Sequence, residues 1–150
     1  MSLLVSVQEA AFDVGAEYGR LREHNSGDGA TAIFVGSVRD LSDAQQVAQL
    51  QLEHYPGMTE RVLEDIAAEA RERWQLGRVR IVHRVGSLGA GEDIVFVGTC
   101  APHRRAALEA CAFVIDVLKT RAPFWKKEVG PCGGRWVEAR QSDRDAVEKW

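Results

Sequence analysis

The chain has 150 residues, 45% apolar and 27% charged, and a formal net charge of −3. That length and balance describe one soluble globular domain, and the acidic total excludes the broad basic footprint of a non-specific nucleic-acid binder. Three cysteines, Cys100, Cys111 and Cys132, are an odd number without metal-type spacing, and they read as free thiols in a reducing compartment. The start, MSLLVSVQEA, lacks a basic leader segment. No apolar run approaches the roughly 20 residues of a membrane span, so the expected location is the cytoplasm.

In chain order, Leu3 to Val7 predicts a short strand. Asp13 is placed to cap a helix that runs to about Glu23. His24 to Gly29 is turn-rich, and Ala30 to Val38 predicts a strand. Arg39 to Gln46 reads as a polar, mobile loop. From Val47 to His54, Leu50 and Leu52 alternate with Gln49 and Gln51, the pattern of a strand with one wet face. Thr59 is expected to cap a helix over Glu60 to Trp74, with Val62, Leu63, Ile66, Ala70 and Trp74 as its apolar stripe and Gly77 at its end. Strands are expected at Val79 to His83 and Ile94 to Thr99.

Pro102 is expected to open a long helix from His103 to Thr120, with Leu108, Cys111, Val114, Ile115 and Leu118 inward. Phe124 to Val129 and Arg135 to Ala139 predict two antiparallel strands joined by the turn GPCGG. Ser142 is expected to cap a last short helix. The whole is an α+β arrangement within one domain, residues 1–150. Helices lie on one face of a mainly antiparallel sheet, beside a small antiparallel β lobe.

Two charged clusters stand out. In APHRRAALEA, His103, Arg104 and Arg105 fall at the start of a helix, where the macrodipole disfavours cations by roughly 0.3–1 kcal/mol each. Such a violation suits an anion site, although the arginines can equally reach solvent. The second cluster is LKTRAPFWKKE. The chain has only four lysines, and Lys119, Lys126 and Lys127 are three of them. Lys126 and Lys127 point to opposite faces of one strand, Lys126 with Phe124 and Lys127 with Trp125. Lysine, unlike arginine, moves protons readily once buried. A solvated basic edge is the plainer reading of the same spacing.

His103 and Lys119 are about 24 Å apart along one helix. If both act on one small ligand, the site is shared between two copies of the chain. Arg39 in GSVRD can close over an anion. His54, Tyr55 and His83 read as packing residues, His83 in the core or at an interface. Four scattered histidines offer no metal site.

The segments LEHYPGMTE, WQLGRVRIVHRVG, GEDIVFVG, APHRRAALEA, LKTRAPFWKKE and RWVEAR together resemble the large, catalytic subunits of molybdopterin synthase. The likeness runs from about Phe12 to Trp150. It implies an α/β hammerhead fold and a sulfurtransferase without cofactor or metal. It also implies a heterotetramer: a homodimer of this chain with a small ubiquitin-like subunit at each end. The small subunit's Gly-Gly tail carries a thiocarboxylate, and two sulfurs pass to cyclic pyranopterin monophosphate to form the dithiolene of molybdopterin.

By the same resemblance Lys119 and Lys126 are catalytic, and Arg39, His103 and Arg104 bind substrate. Ser37, Val38, Lys127 and Glu128 lie near it. Phe34, Phe124 and Trp125 are candidates to line a channel for the tail. Partners of the nucleic-acid or membrane kind are not implied. Two other readings remain open on the residues: a non-catalytic dimeric scaffold that docks a ubiquitin-like partner through the Lys126 strand, and a phosphoanion binder that uses the His103 end alone.

Overall fold

The structure, a computed structural model, describes residues 5–42, 45–131, 133–138 and 140–150. The expected strand positions Leu3 and Leu4, and Cys132 and Ala139, lie outside the described residues. The elements run β1 (Val5–Gln8), α1 (Val14–Arg22), β2 (Ala30–Ser37), β3 (Leu41–Ser42), β4 (Gln45–Gln46), β5 (Gln49–His54), α2 (Met58–Trp74), β6 (Arg78–Arg84), β7 (Gly86–Gly89), β8 (Asp93–Ala101), α3 (Arg104–Arg121), β9 (Phe124–Gly130), β10 (Gly133–Val137) and α4 (Gln141–Glu148).

One sheet has the order β1-β6-β8-β2, parallel between β1 and β6 and antiparallel elsewhere. The period-two alternation of its central strands gives it two apolar faces. Ile81, Val79, Val95 and Val97 pack against Leu63, Ile66 and Ala70 of α2 and against Phe113, Val114 and Val117 of α3. Val82, Phe96 and Cys100 pack on the other face against Leu21 of α1. Helices therefore cover both faces rather than the one expected, because β6 and β8 are apolar at successive positions. Phe96, Phe113, Leu63, Ile66 and Ile81 are fully buried, each worth roughly 1.5–3 kcal/mol of transfer free energy.

The second sheet, β10-β9-β5-β7, is antiparallel throughout and forms the small lobe. Leu50, Leu52 and Leu88 supply its core. The chain passes from one sheet to the other at Gly86, whose φ of 87° suits glycine. β7 was not expected, since GSLG is short and glycine-bounded. The loop predicted over Arg39 to Gln46 instead contains the β3–β4 hairpin, closed by Val47 N–H donating to the Asp40 carbonyl at 2.8 Å.

Local signals held at some ends and failed at others. Asp13 caps α1 by accepting from Ala16 N–H at 2.9 Å. α2 starts two residues earlier than Thr59 suggested. Gly57 is its cap, and the Glu60 carboxylate accepts from Gly57 N–H. Its end is Gln75 in the left-handed region, not Gly77. Arg140, not Ser142, precedes α4, and His103 is the cap position of α3, so Pro102 lies outside that helix. Leu108, expected inside, is 61% exposed.

Candidate active site

Three elements bring the lysine cluster together. β9 alternates, so Phe124, Lys126 and Glu128 share its inner face. α3 ends at Arg121, and Lys119 lies in its last turn, where a cation is favoured. Thr59 explains how β9 is aimed. Fully buried in the first turn of α2, its hydroxyl accepts from Tyr55 N–H at 3.0 Å and donates to the Pro123 carbonyl at 3.2 Å. This bond pins the short link between α3 and β9.

The third element is the end of β2. Its register shifts between Gly36 and Ser37, a bulge that re-aims the following residues. Ser37 Oγ donates to Asp93 at 2.8 Å. Val38 N–H donates to the Glu92 carbonyl at 2.9 Å, and the Val38 carbonyl accepts from Gly91 N–H at 2.8 Å. The 89–93 turn is itself clamped by Arg84, which donates to Glu92 and to the Glu9 carbonyl. The backbone before Arg39 is thereby fixed, and after it the Asp40 carbonyl accepts from Val47 N–H, while the Arg39 side chain stays exposed.

These elements enclose a cavity of about 330 Å³. Ser37, Val38, Arg39, Lys119, Lys126 and Glu128 all line it. A smaller chamber of about 90 Å³ adjoins it, sharing Ser37, Lys119, Phe124 and Lys126 and reaching inward to His83, Ile115 and Leu118. Burial, then the neighbouring Lys119 charge, pushes the Lys126 ammonium down to about 8, against a partial pull upward from Asp143. Glu128 is turned toward Arg135 at 3.0 Å, so its charge is largely answered from outside the pocket.

Several expected residues are elsewhere. Lys127 lies on the opposite face of β9, its Nζ 5.8 Å from the Trp136 ring centroid. Trp125 shares that outer face and is 49% exposed, and Phe34 is exposed on β2. Of the three proposed channel residues, Phe124 lines these two cavities and Phe34 and Trp125 do not. His103 and Arg104 are exposed at the far end of α3, about 24 Å from Lys119 by helical rise. They do not join the pocket of their own chain.

Other lining residues were missed. Arg140, Glu138 and Asp143 form one wall, because Val137 of β10 pairs with Lys126 and carries the following segment back over the cavity. The antiparallel hairpin was legible, and its register held this signal. His83 was read as a packing residue, and it is buried, but it also floors the inner chamber.

Fold and pocket together define a class: a two-sheet α+β protein with a cavity lined by Lys119, Lys126 and Arg39. Comparisons agree. A family model described as MoaE protein matches residues 7–121, and the chain belongs to the MoaE protein family. It is 55% identical over 148 residues, 99% of each chain, to the molybdopterin synthase catalytic subunit of Pseudomonas aeruginosa. It is 54% identical to that of Escherichia coli, over 93% of this chain and 92% of the relative. Among solved structures, the molybdopterin biosynthesis MoaE protein of Burkholderia ambifaria aligns with a TM-score of 0.85 at 52% identity, covering 99% of this chain and 98% of that one. The molybdopterin synthase of Staphylococcus aureus aligns with a TM-score of 0.82 at 29% identity, covering 92% and 98%.

Proposed function

We propose that this chain is the catalytic subunit of a molybdopterin synthase. It transfers two sulfurs to cyclic pyranopterin monophosphate, each from the C-terminal thiocarboxylate of one small ubiquitin-like partner, which leaves as a carboxylate. The observation that carries the reading is the convergence of Lys119 and Lys126 on one cavity, with Lys126 held near 8. An ammonium of that pKa is largely charged at neutral pH and still surrenders its proton readily.

Each residue then has a task. Lys119 neutralises the incoming thiocarboxylate. Lys126 moves protons as carbon–sulfur bonds form and water leaves. Arg39 holds the substrate phosphate, with its backbone flanks pinned so that little ordering remains to be done on binding. His103 and Arg104 of the partner subunit complete the phosphate grip across a homodimer interface, since they cannot reach the pocket of their own chain. The sulfur arrives on the small subunit, so no cysteine of this chain is needed. Burial pushes the Cys111 thiol up to about 11, and burial also raises Cys100, which suits inert packing. The heterotetramer acts in the cytoplasm.

The test is reconstitution. The purified chain, a thiocarboxylated small subunit and precursor Z should yield molybdopterin. Lys119→Ala and Lys126→Ala should each lower turnover at least 100-fold, and Arg39→Ala should chiefly raise the KM for the pterin. Full turnover by Lys119→Ala would refute the assigned chemistry.

A further inference from the structure

His83 is a buried, titratable side chain that the chemistry above does not use. It lies on β6 of the first sheet, and its ring stacks on Phe124 of the second, with centroids 3.9 Å apart and planes 19° from parallel. Phe124 in turn packs on the apolar clusters of both sheets. Lys126 follows two residues later on the same face of β9. His83, Lys119 and Lys126 line one chamber. The ring is therefore a direct contact between the first sheet and the lysine strand inside the pocket.

The ring's chemistry fits a support and not an acid. Nδ1 lies 2.8 Å from the Arg84 carbonyl. A carbonyl only accepts, so Nδ1 carries the hydrogen. Burial, the largest cause, together with the charges of Lys126, Lys119 and His54, lowers the ring to about 3 against the upward pull of the Arg84 bond. A neutral ring adds no third positive charge to a chamber that already holds two ammoniums.

We propose that His83 is a positioning residue for the sulfur-transfer site: its flat, neutral ring holds Phe124, and thereby Lys126, beside Lys119 and sheltered from water. The proposal rests on the functional reading above for its kinetic part, but not for its structural part. Lys126 is faced by Lys119 from α3 and by His83 from β6. Arg140 and Asp143 face it from the wall before and within α4, Arg39 from the end of β2, and Glu128 from its own strand. Of these, only the His83 contact is a stack that shelters the strand without charge.

The test removes the stack from either side. His83→Leu keeps apolar volume without the flat ring, Phe124→Leu removes the other ring, and His83→Phe restores a ring. Each variant is acetylated with acetic anhydride across a pH series, and the Lys126 peptide is quantified by mass spectrometry. In both leucine variants the Lys126 midpoint should rise from near 8 by about one pH unit, as water reaches the ammonium, and His83→Phe should bring it back. The double leucine variant should shift it no further than the larger single shift. Turnover of both leucine variants should fall roughly 10- to 100-fold in kcat, with the KM for the pterin changed little. His83→Phe should lose only the bond to Arg84, lowering Tm by roughly 2–4 °C.

An unmoved midpoint in both leucine variants would overturn the proposal. So would a His83→Phe midpoint as displaced as that of His83→Leu. The labelling is read without turnover. If the protein made no molybdopterin, the functional reading would fall while the midpoint still decided the role of His83.

Discussion

Lys126 shows how one residue sets chemistry against stability. Its ammonium has a pKa of about 8 in the fold and 10.5 as the ordinary value. Between those values the unfolded chain holds a proton that the folded chain has released, so stability rises with pH across that window. Below pH 8 the full cost of the sheltered charge is present, on the order of 1–3 kcal/mol. Lys126→Met should therefore abolish turnover and yet raise Tm at pH 7 by roughly 2–12 °C. That gain should shrink toward pH 10, as followed by thermal unfolding at both values. An equal gain at both would mean that the charge is not the source. The opposed faces of Lys126 and Lys127 were legible from strand alternation alone. The rings of His83 and Phe124 were not, because they meet across two sheets and are 41 positions apart in sequence.

Individual elements followed the sequence well where periodicity was long. α2 and α3 declared themselves through apolar stripes, β6 and β8 through apolar runs. Ends were less legible, because caps depend on backbone angles that several residues can satisfy. Thr59 has the right chemistry for a cap, but it is recruited by Pro123 across 64 positions. Packing of elements supplies its own prediction. A Cβ on Gly98 of β8 would come 2.3 Å from Leu21 Cδ1, where α1 lies against the sheet. Gly98→Ala should destabilise by about 1–3 kcal/mol through overpacking, read by urea denaturation. No residue of α1 lines either cavity, so kcat should remain near wild type in the folded enzyme. A coincident loss of kcat would show that α1 supports the site.

For the whole molecule, the decisive quantity is the length of α3. Its two cationic ends cannot serve one small substrate within one chain. If sites cross a twofold interface, an Arg104→Ala chain and a Lys119→Ala chain should complement each other. Mixed after unfolding and refolding, half the dimers are hybrid, and each hybrid has one intact site. The mixture should recover about a quarter of wild-type turnover. No recovery above the two inactive parents would mean that each chain works with its own residues only. The exposed Leu108, on the same half of α3 as Arg104, lies where such an interface would run.

By itself the sequence determined the kinds of element, their order, the cationic helix start and the grouping of lysines near Pro123. Periodicity, glycine and proline placement and side-chain charge are local properties, and they survive without a fold. The tertiary structure alone decided which residues share a cavity. The β9–β10 register carried Arg140 and Asp143 over Lys126, the bulge at Gly36/Ser37 set the segment that brings Arg39 to the cavity rim, and the meeting of two sheets set His83 beneath the lysines. Those contacts join positions far apart in the chain, and only the burial of apolar surface common to both sheets brings them within reach.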